Sequence, residues 1–283
     1  MTTTFALAQT KPKLGDLSRT IDSVCATIDR AATAGADLVV FPELALTGYL
    51  LKDLVSEVAL PLDSPCLTPL FDLSRRISVV IGLVEASPDH RFYNASLYLE
   101  GGEIRHCHRK VYLPTYGLFD EQRYFSRGGS FRAFDTQGGR VGILICEDMW
   151  HLSAPYLLAM DGADTLICLS SSPARGVGGE DDLASAAAWQ RLTSSVARFL
   201  TVRVIYVNRV GVEDGITFWG GSEVVEPDGT VAGRAPLFDE ELHLVRCPTA
   251  LFRRSRIVTP LLRDEDLSLT LRELSRIERE RRI

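Results

Sequence analysis

Short apolar runs rich in β-branched residues alternate along the chain with stretches whose apolar residues recur every three or four positions, which predicts an α/β protein. Residues 5–8 open as a strand, 16–34 follow as a helix, and 37–41 return as a strand. A second helix over 67–77 feeds a strand over 79–84. Residues 91–99 and 103–110 flank Gly101-Gly102, a dipeptide that suits a tight hairpin turn, so these two segments pair antiparallel. Strands are predicted at 131–135, 141–146, 165–169 and 202–208, helices near 155–160 and 183–200, and closing strands around 222–226 and 242–247.

No Pro/Gly/Ser-rich linker, repeat or low-complexity tract divides the pattern, so residues 1–260 are expected to form one domain. Residues 261–283 form a charged tail in which Leu267, Leu271 and Leu274 recur at helical spacing. This tail is expected to be a helix docked on its own domain or on a second subunit. With 46% hydrophobic residues the chain can bury a large core, which excludes disorder. A net charge of −6 leaves no basic field for a phosphate backbone, which excludes nucleic acid as the expected partner. No stretch reaches the roughly 18 apolar residues of a membrane span and the start lacks a leader pattern, so a soluble, cytoplasmic protein is expected. The six cysteines are scattered without a CxxC pair, so most are read as reduced core filling and no metal site is expected.

Three strands end abruptly in residues that can carry chemistry. The run Val141-Gly-Ile-Leu-Ile stops at Cys146, followed by Glu147-Asp148; Val39-Val40-Phe41 stops at Pro42 and Glu43; the returning hairpin strand delivers Lys110 before a proline-containing turn. Taken singly, Cys146 divides evenly between filler and nucleophile, Glu43 reads as a solvated acid and Lys110 as a surface charge. Cys168, inside an apolar run, reads as core. Together they supply an acid, an amine and a thiol at strand ends, enough to attack an amide or nitrile carbon without histidine. Lys110 would favour the thiolate and then the oxyanion, and Glu43 would take the thiol proton and return it to the leaving amine.

The segments FPELALTGY around Glu43, HRKVYLPTYGLFDEQRYF around Lys110 and GILICEDMW around Cys146 resemble, in order, the three signature segments of the nitrilase, or carbon–nitrogen hydrolase, superfamily. The resemblance runs from the first strand to about Cys247. It implies an α/β fold of four layers, an α-β-β-α sandwich, a Glu43-Lys110-Cys146 triad, no cofactor, and a homodimer or higher homo-oligomer. It also implies that Glu121 positions substrate and lysine, that the backbone N–H of Glu147 helps hold the oxyanion, and that Tyr49 and Tyr116 lie in the loops around the pocket. The wording LPTYGLFDEQRYF and GYLLKDL is most similar to the glutaminase domain of glutamine-dependent NAD synthetases, although no SGGxDS-like segment occurs here. CEDMW departs from the CWE of true nitrilases. The expected activity is therefore hydrolysis of a small amide or N-carbamoyl compound; a glutaminase subunit serving a separate synthetase, a nitrilase and a non-catalytic scaffold are the alternatives.

Other signals weigh less. His151 could form a cysteine–histidine dyad with Cys146, but the Glu-Lys set competes with it. His106 and His108 alternate on one strand without further ligands and read as a solvated or hydrogen-bonded pair. Gly176-Val177-Gly178-Gly179 precedes acidic residues and reads as a flexible loop at the pocket mouth rather than a phosphate loop. Ser170-Ser171-Ser172 lacks the context of a serine amidase, so Ser171 is placed in the pocket wall. Arg175 could meet an acidic substrate group, and Trp219 is expected to approach substrate more closely than Trp150 or Trp189.

Overall fold

The computed structural model describes residues 2–281 apart from 176 and 179–181. On its first strand, Thr2–Gln9, the side chains alternate between two destinations. Phe5 and Leu7 enter a core shared with Ile143, Ile167, Leu169 and Ile205, whereas Ala6 and Ala8 join Ile21, Val24 and Ile28 of the helix Leu17–Thr33. A third core sets Leu144, Leu166 and Val204 against Leu158, Trp189 and Val196, from the helices Ser153–Met160 and Ala184–Leu200. Period-two alternation with both faces apolar thus builds helix, sheet, sheet and helix, an α-β-β-α sandwich.

Each of the two sheets of the sandwich has six strands. The first runs Glu241–Pro248, Thr2–Gln9, Leu38–Val40, Ser78–Ala86, Phe92–Glu100 and Glu103–Arg109. The second runs Val231–Arg234, Glu223–Val225, Arg203–Asn208, Thr165–Ser170, Gly139–Ile145 and Phe134–Thr136. Leu38–Val40 and Ser78–Ala86 pair parallel, and two antiparallel steps bring Glu103–Arg109 back to the same direction. Arg203–Asn208, Thr165–Ser170 and Gly139–Ile145 are also parallel to one another. Functional side chains emerge at the carboxyl ends of these strands, where open α/β sheets build sites.

Local chemistry sets the limits of the elements. Asp16 caps the Leu17–Thr33 helix by accepting the Arg19 N–H, and Gly35, at φ 79°, ends it in the left-handed conformation that glycine adopts without a Cβ penalty. The helix expected over 67–77 runs only over Thr68–Leu73. Ser74 leaves it because its carbonyl and hydroxyl oxygens accept the N–H groups of Gly101 and Gly102 in the hairpin turn. The strand expected from 131 starts at Phe134, since the Ala133 N–H donates to Asp161 instead of a ladder. An unexpected hairpin, Val210–Glu213 with Ile216–Trp219, turns at Asp214-Gly215, and a helix forms over Ala250–Val258.

The tail forms the helix Leu267–Arg281, none of whose residues is buried. Leu267, Leu271 and Leu274 stay exposed, so the helix does not cover its apolar stripe on its own domain. The loop expected over 176–179 falls mostly outside the described residues. Among the described residues no helix is long and apolar enough to cross a membrane.

Candidate active site

Glu43 follows the strand Leu38–Val40, and its chain turns at once, with Leu44 at φ 49°. The turn packs directly on the next strand at Gly82, where a Cβ would stand 2.5 Å from the Leu44 nitrogen and 2.7 Å from the Pro42 oxygen. Glu43 is buried, with every carboxylate contact made by a donor. Oε1 accepts from Asn94 Nδ2 at 2.8 Å and from Lys110 Nζ at 2.7 Å, and Oε2 accepts the Ser171 N–H at 2.8 Å.

Lys110 continues the strand Glu103–Arg109 and donates its own N–H to the Asn94 carbonyl. Its amine also reaches Glu121 Oε1 at 2.7 Å. Burial alone would lower the ammonium pKa, but the Glu121 and Glu43 carboxylates outweigh it and raise it well above the usual lysine range. Burial lifts Glu121 to about 7, with Lys110 opposing and Glu43 reinforcing the shift. Tyr49 donates its hydroxyl to the same Glu121 oxygen.

Cys146 closes the strand Gly139–Ile145 and opens a single 3₁₀ turn over Cys146–Trp150. Its φ of 46° is a left-handed conformation that costs a side-chain-bearing residue roughly 1–3 kcal/mol and is often found at working sites. Ser170 Oγ donates to Sγ at 3.5 Å. Burial and then Glu43 push the thiol pKa up, and Lys110 only partly offsets them. Burial and the Glu43 charge thus favour the thiol form of the sulfur, and Lys110 acts against them.

Asp148 fastens the turn. Its Oδ2 accepts the Ile145 N–H and lies 2.9 Å from His108 Nε2, while Oδ1 accepts the N–H groups of Val111 and Tyr112 at 3.0 and 2.9 Å. One carboxylate thereby ties the Cys146 turn in the second sheet to the chain leaving Lys110 in the first.

A cavity of about 380 Å³ opens over Cys146 and is walled by Tyr116, Glu147, Trp150, Arg175 and Trp189. Tyr116 donates to both Glu147 oxygens, at 3.1 and 2.9 Å, and Arg175 lies over the Phe119 ring at 5.0 Å. A carboxylate and a guanidinium thus share one wall system. A second cavity of about 170 Å³, lined by Tyr49, Phe119 and Glu121, adjoins it at Phe119.

Glu43, Lys110, Glu121 and Cys146 come together, and Tyr116, Glu147 and Arg175 line the cavity beside the thiol. Three other residues go elsewhere. Ser171 spends its N–H and its hydroxyl on the carboxylate and carbonyl of Glu43, so it holds that residue while Ser172 faces the cavity. Tyr49 is buried behind Glu121 and lines the second cavity. Trp219, at the end of the strand Ile216–Trp219, is fully buried beside Tyr206; Trp150 and Trp189 take the wall position. His151 stacks on Tyr112 at 3.5 Å and has no hydrogen bond to Cys146, while His106 stacks on Phe134 and His108 is held by Asp148. Among the described residues no group of three or more His, Cys, Asp or Glu is placed to hold a metal ion. Sequence reasoning missed Asn94 and Asp148, whose contacts join segments distant in the chain.

Comparison with known proteins bears on this arrangement. The Carbon-nitrogen hydrolase family profile matches residues 4–256. A glutamine-dependent NAD(+) synthetase of Acinetobacter baylyi is 32% identical over 239 residues, covering 84% of this chain and 43% of that protein. The structure of glutamine-dependent NAD+ synthetase from Acinetobacter baumannii superimposes with a TM-score of 0.79 at 30% identity, covering 89% of this chain and 47% of that one. A carbon-nitrogen hydrolase from Helicobacter pylori, 23% identical, shares the fold with a TM-score of 0.84 over 97% of this chain and 99% of its own. The chain thus spans less than half the length of the synthetases it matches.

Proposed function

The chain belongs to the carbon-nitrogen hydrolase family, and on that premise we propose that it hydrolyses the C–N bond of a small amide or N-carbamoyl compound through a Cys146 thioester. The observation that carries this reading is the buried amine of Lys110 bridging Glu43 and Glu121 beside the thiol. Because the thiol form is favoured, attack needs a base, and Glu43 takes the proton as the S–C bond forms. The oxyanion is held by Lys110 and by the backbone N–H of Glu147, which lies in the first turn of a helix and so lacks a partner within it. Glu43 returns the proton to the departing nitrogen, the C–N bond breaks, and ammonia or an amine leaves. Water then attacks the thioester with Glu43 again as base, releasing the acid and restoring the thiol.

Two observations favour an amide with a charged head. Glu147 can take an ammonium and Arg175 a carboxylate, so the cavity suits a zwitterionic amino-acid amide. The similarity to glutamine-dependent synthetases supports glutamine as that amide and a glutaminase supplying ammonia to a synthetase as the second reading. A cytoplasmic location and a homodimer that covers the tail helix belong to the same proposal.

Ammonia release from glutamine, small aliphatic amides, N-carbamoyl amino acids and nitriles, compared between wild type and Cys146→Ala, tests it. Release from an amide or carbamoyl compound that disappears in the variant is the expected result. Release that persists in Cys146→Ala, or that occurs only from nitriles, overturns it.

A further inference from the structure

Behind Glu121 lies a second buried ion pair that the reaction scheme does not use. Arg209 and Glu213 are both closed to solvent and bonded to each other through Nη1 and Oε2. Glu213 sits at the turn of the hairpin Val210–Glu213 with Ile216–Trp219, and Arg209 immediately precedes its first strand. Burying two charges costs several kcal/mol per ion, so a pair that only filled space could be replaced by apolar residues without loss. What distinguishes this one is where the other carboxylate oxygen goes. Glu213 Oε1 accepts the backbone N–H of Tyr49 at 2.8 Å and that of Leu50 next to it. Those residues lie in the loop that leaves Glu43, 164 positions earlier in the chain than Glu213. The approach is close: a Cβ on Gly48 would stand 3.0 Å from Glu213 Oε2 and 2.9 Å from the Leu14 backbone. Arg209 packs over the Phe218 ring at 4.3 Å, and the same ring meets Tyr49 edge-on at 6.2 Å. The ion pair therefore grips Tyr49 by its backbone and by its ring.

We propose that Glu213, braced by Arg209, is a positioning residue that aims the Tyr49 hydroxyl at Oε1 of Glu121. This rests on the hydrolase reading of the site. Glu121 Oε1 then receives two donors, Tyr49 and Lys110, while Oε2 has no hydrogen-bond partner among the described residues. One oxygen is fixed and the other remains an open acceptor. The charged and titratable groups around this contact are Lys110 and Glu43, which face Glu121, Cys146, which faces Tyr49 and Lys110, and Arg209, which feels Glu43 as well as Glu213. Burial raises the Glu121 pKa and Glu43 adds to it, while Lys110 and then the Tyr49 hydroxyl lower it. Loss of the aim therefore moves the Glu121 titration upward.

The test reads that titration directly and needs no substrate. Protein labelled at the glutamate side-chain carboxyls is titrated by carbon-13 NMR, with the Glu121 signal assigned by its absence in Glu121→Gln. The wild-type midpoint is expected near 7. Tyr49→Phe should raise it, Glu213→Gln should raise it in the same direction, and the double variant should go no further than Tyr49→Phe alone, because both remove one contact. If Glu213→Gln does not fold, Glu213→Asp, which keeps the charge and shortens the reach to Tyr49, takes its place with the same expectation. A Glu213 variant that folds and leaves the midpoint at the wild-type position overturns the proposal, as do an unmoved midpoint in Tyr49→Phe and shifts that add in the double variant. Ammonia release measured separately on Cys146→Ala decides the hydrolase reading, so the two can fail independently.

Discussion

His108 Nε2 lies 2.9 Å from Asp148 Oδ2, with both side chains closed to solvent. The Asp148 carboxylate therefore faces donors on both oxygens, three of them backbone N–H groups. An amide cannot imitate it, since its NH₂ would have to face at least one N–H. Asp148→Asn should destabilise, and Asp148→Ala should cost about 3–5 kcal/mol, the usual penalty for breaking a buried charged contact. Urea unfolding of the three proteins measures the difference; an alanine variant within 1 kcal/mol of wild type, roughly the value of one ordinary hydrogen bond, refutes it.

Gly82→Ala tests the seat of Glu43. The added methyl meets backbone atoms at 2.5 and 2.7 Å, so the turn bearing Glu43 must move. Overpacking of this kind costs about 1–3 kcal/mol. Misplacing the base by an ångström lowers turnover by about 10²-fold. Turnover should fall by about that factor in a protein that still folds at the assay temperature, as paired measurements of kcat and urea midpoint would show.

Glu121 makes stability depend on pH. Its folded pKa of about 7 lies above the ordinary glutamate value of 4.5, so the folded state binds the extra proton between these values. Its contribution is fully present below about 4.5 and is lost as pH rises through 7. Glu121→Gln, neutral at every pH, should lack this decline, so the stability difference between variant and wild type should shift in favour of the variant from pH 5 to pH 8. A difference that stays constant over that window contradicts the assignment.

Arg175 should act on substrate choice. Arg175→Gln should raise KM for an amide bearing a carboxylate by about tenfold or more, the value of one charge-assisted hydrogen bond, and leave a neutral aliphatic amide nearly unaffected. Equal effects on both substrates would assign Arg175 to packing on Phe119.

The layers were legible because strands buried on both faces write continuous apolar runs; Glu43 and Cys146 stood out because each ends such a run, and Lys110 because a hairpin strand delivers it just before a proline-containing turn. What local pattern cannot express is a partner distant in the chain. Asn94 meets Glu43 across 51 positions, Ser171 across 128, and Glu213 meets Tyr49 across 164, so these contacts exist only after the sheets have stacked. The truncated 67–77 helix has the same origin, since Ser74 is drawn out of it by a turn 28 residues away. Trp219 was expected nearer substrate than the other two tryptophans, whereas both residues at the end of its strand, Phe218 and Trp219, are packed into cores.

The base and amine come from one sheet, the thiol and the serine that holds the base from the other. During synthesis the first five strands of one sheet emerge before any of the second, so the ribosome releases Glu43 and Lys110 well ahead of Cys146. A half-made chain thus holds the carboxylate and the amine without the thiol, so on the proposed mechanism folding itself arms the chemistry.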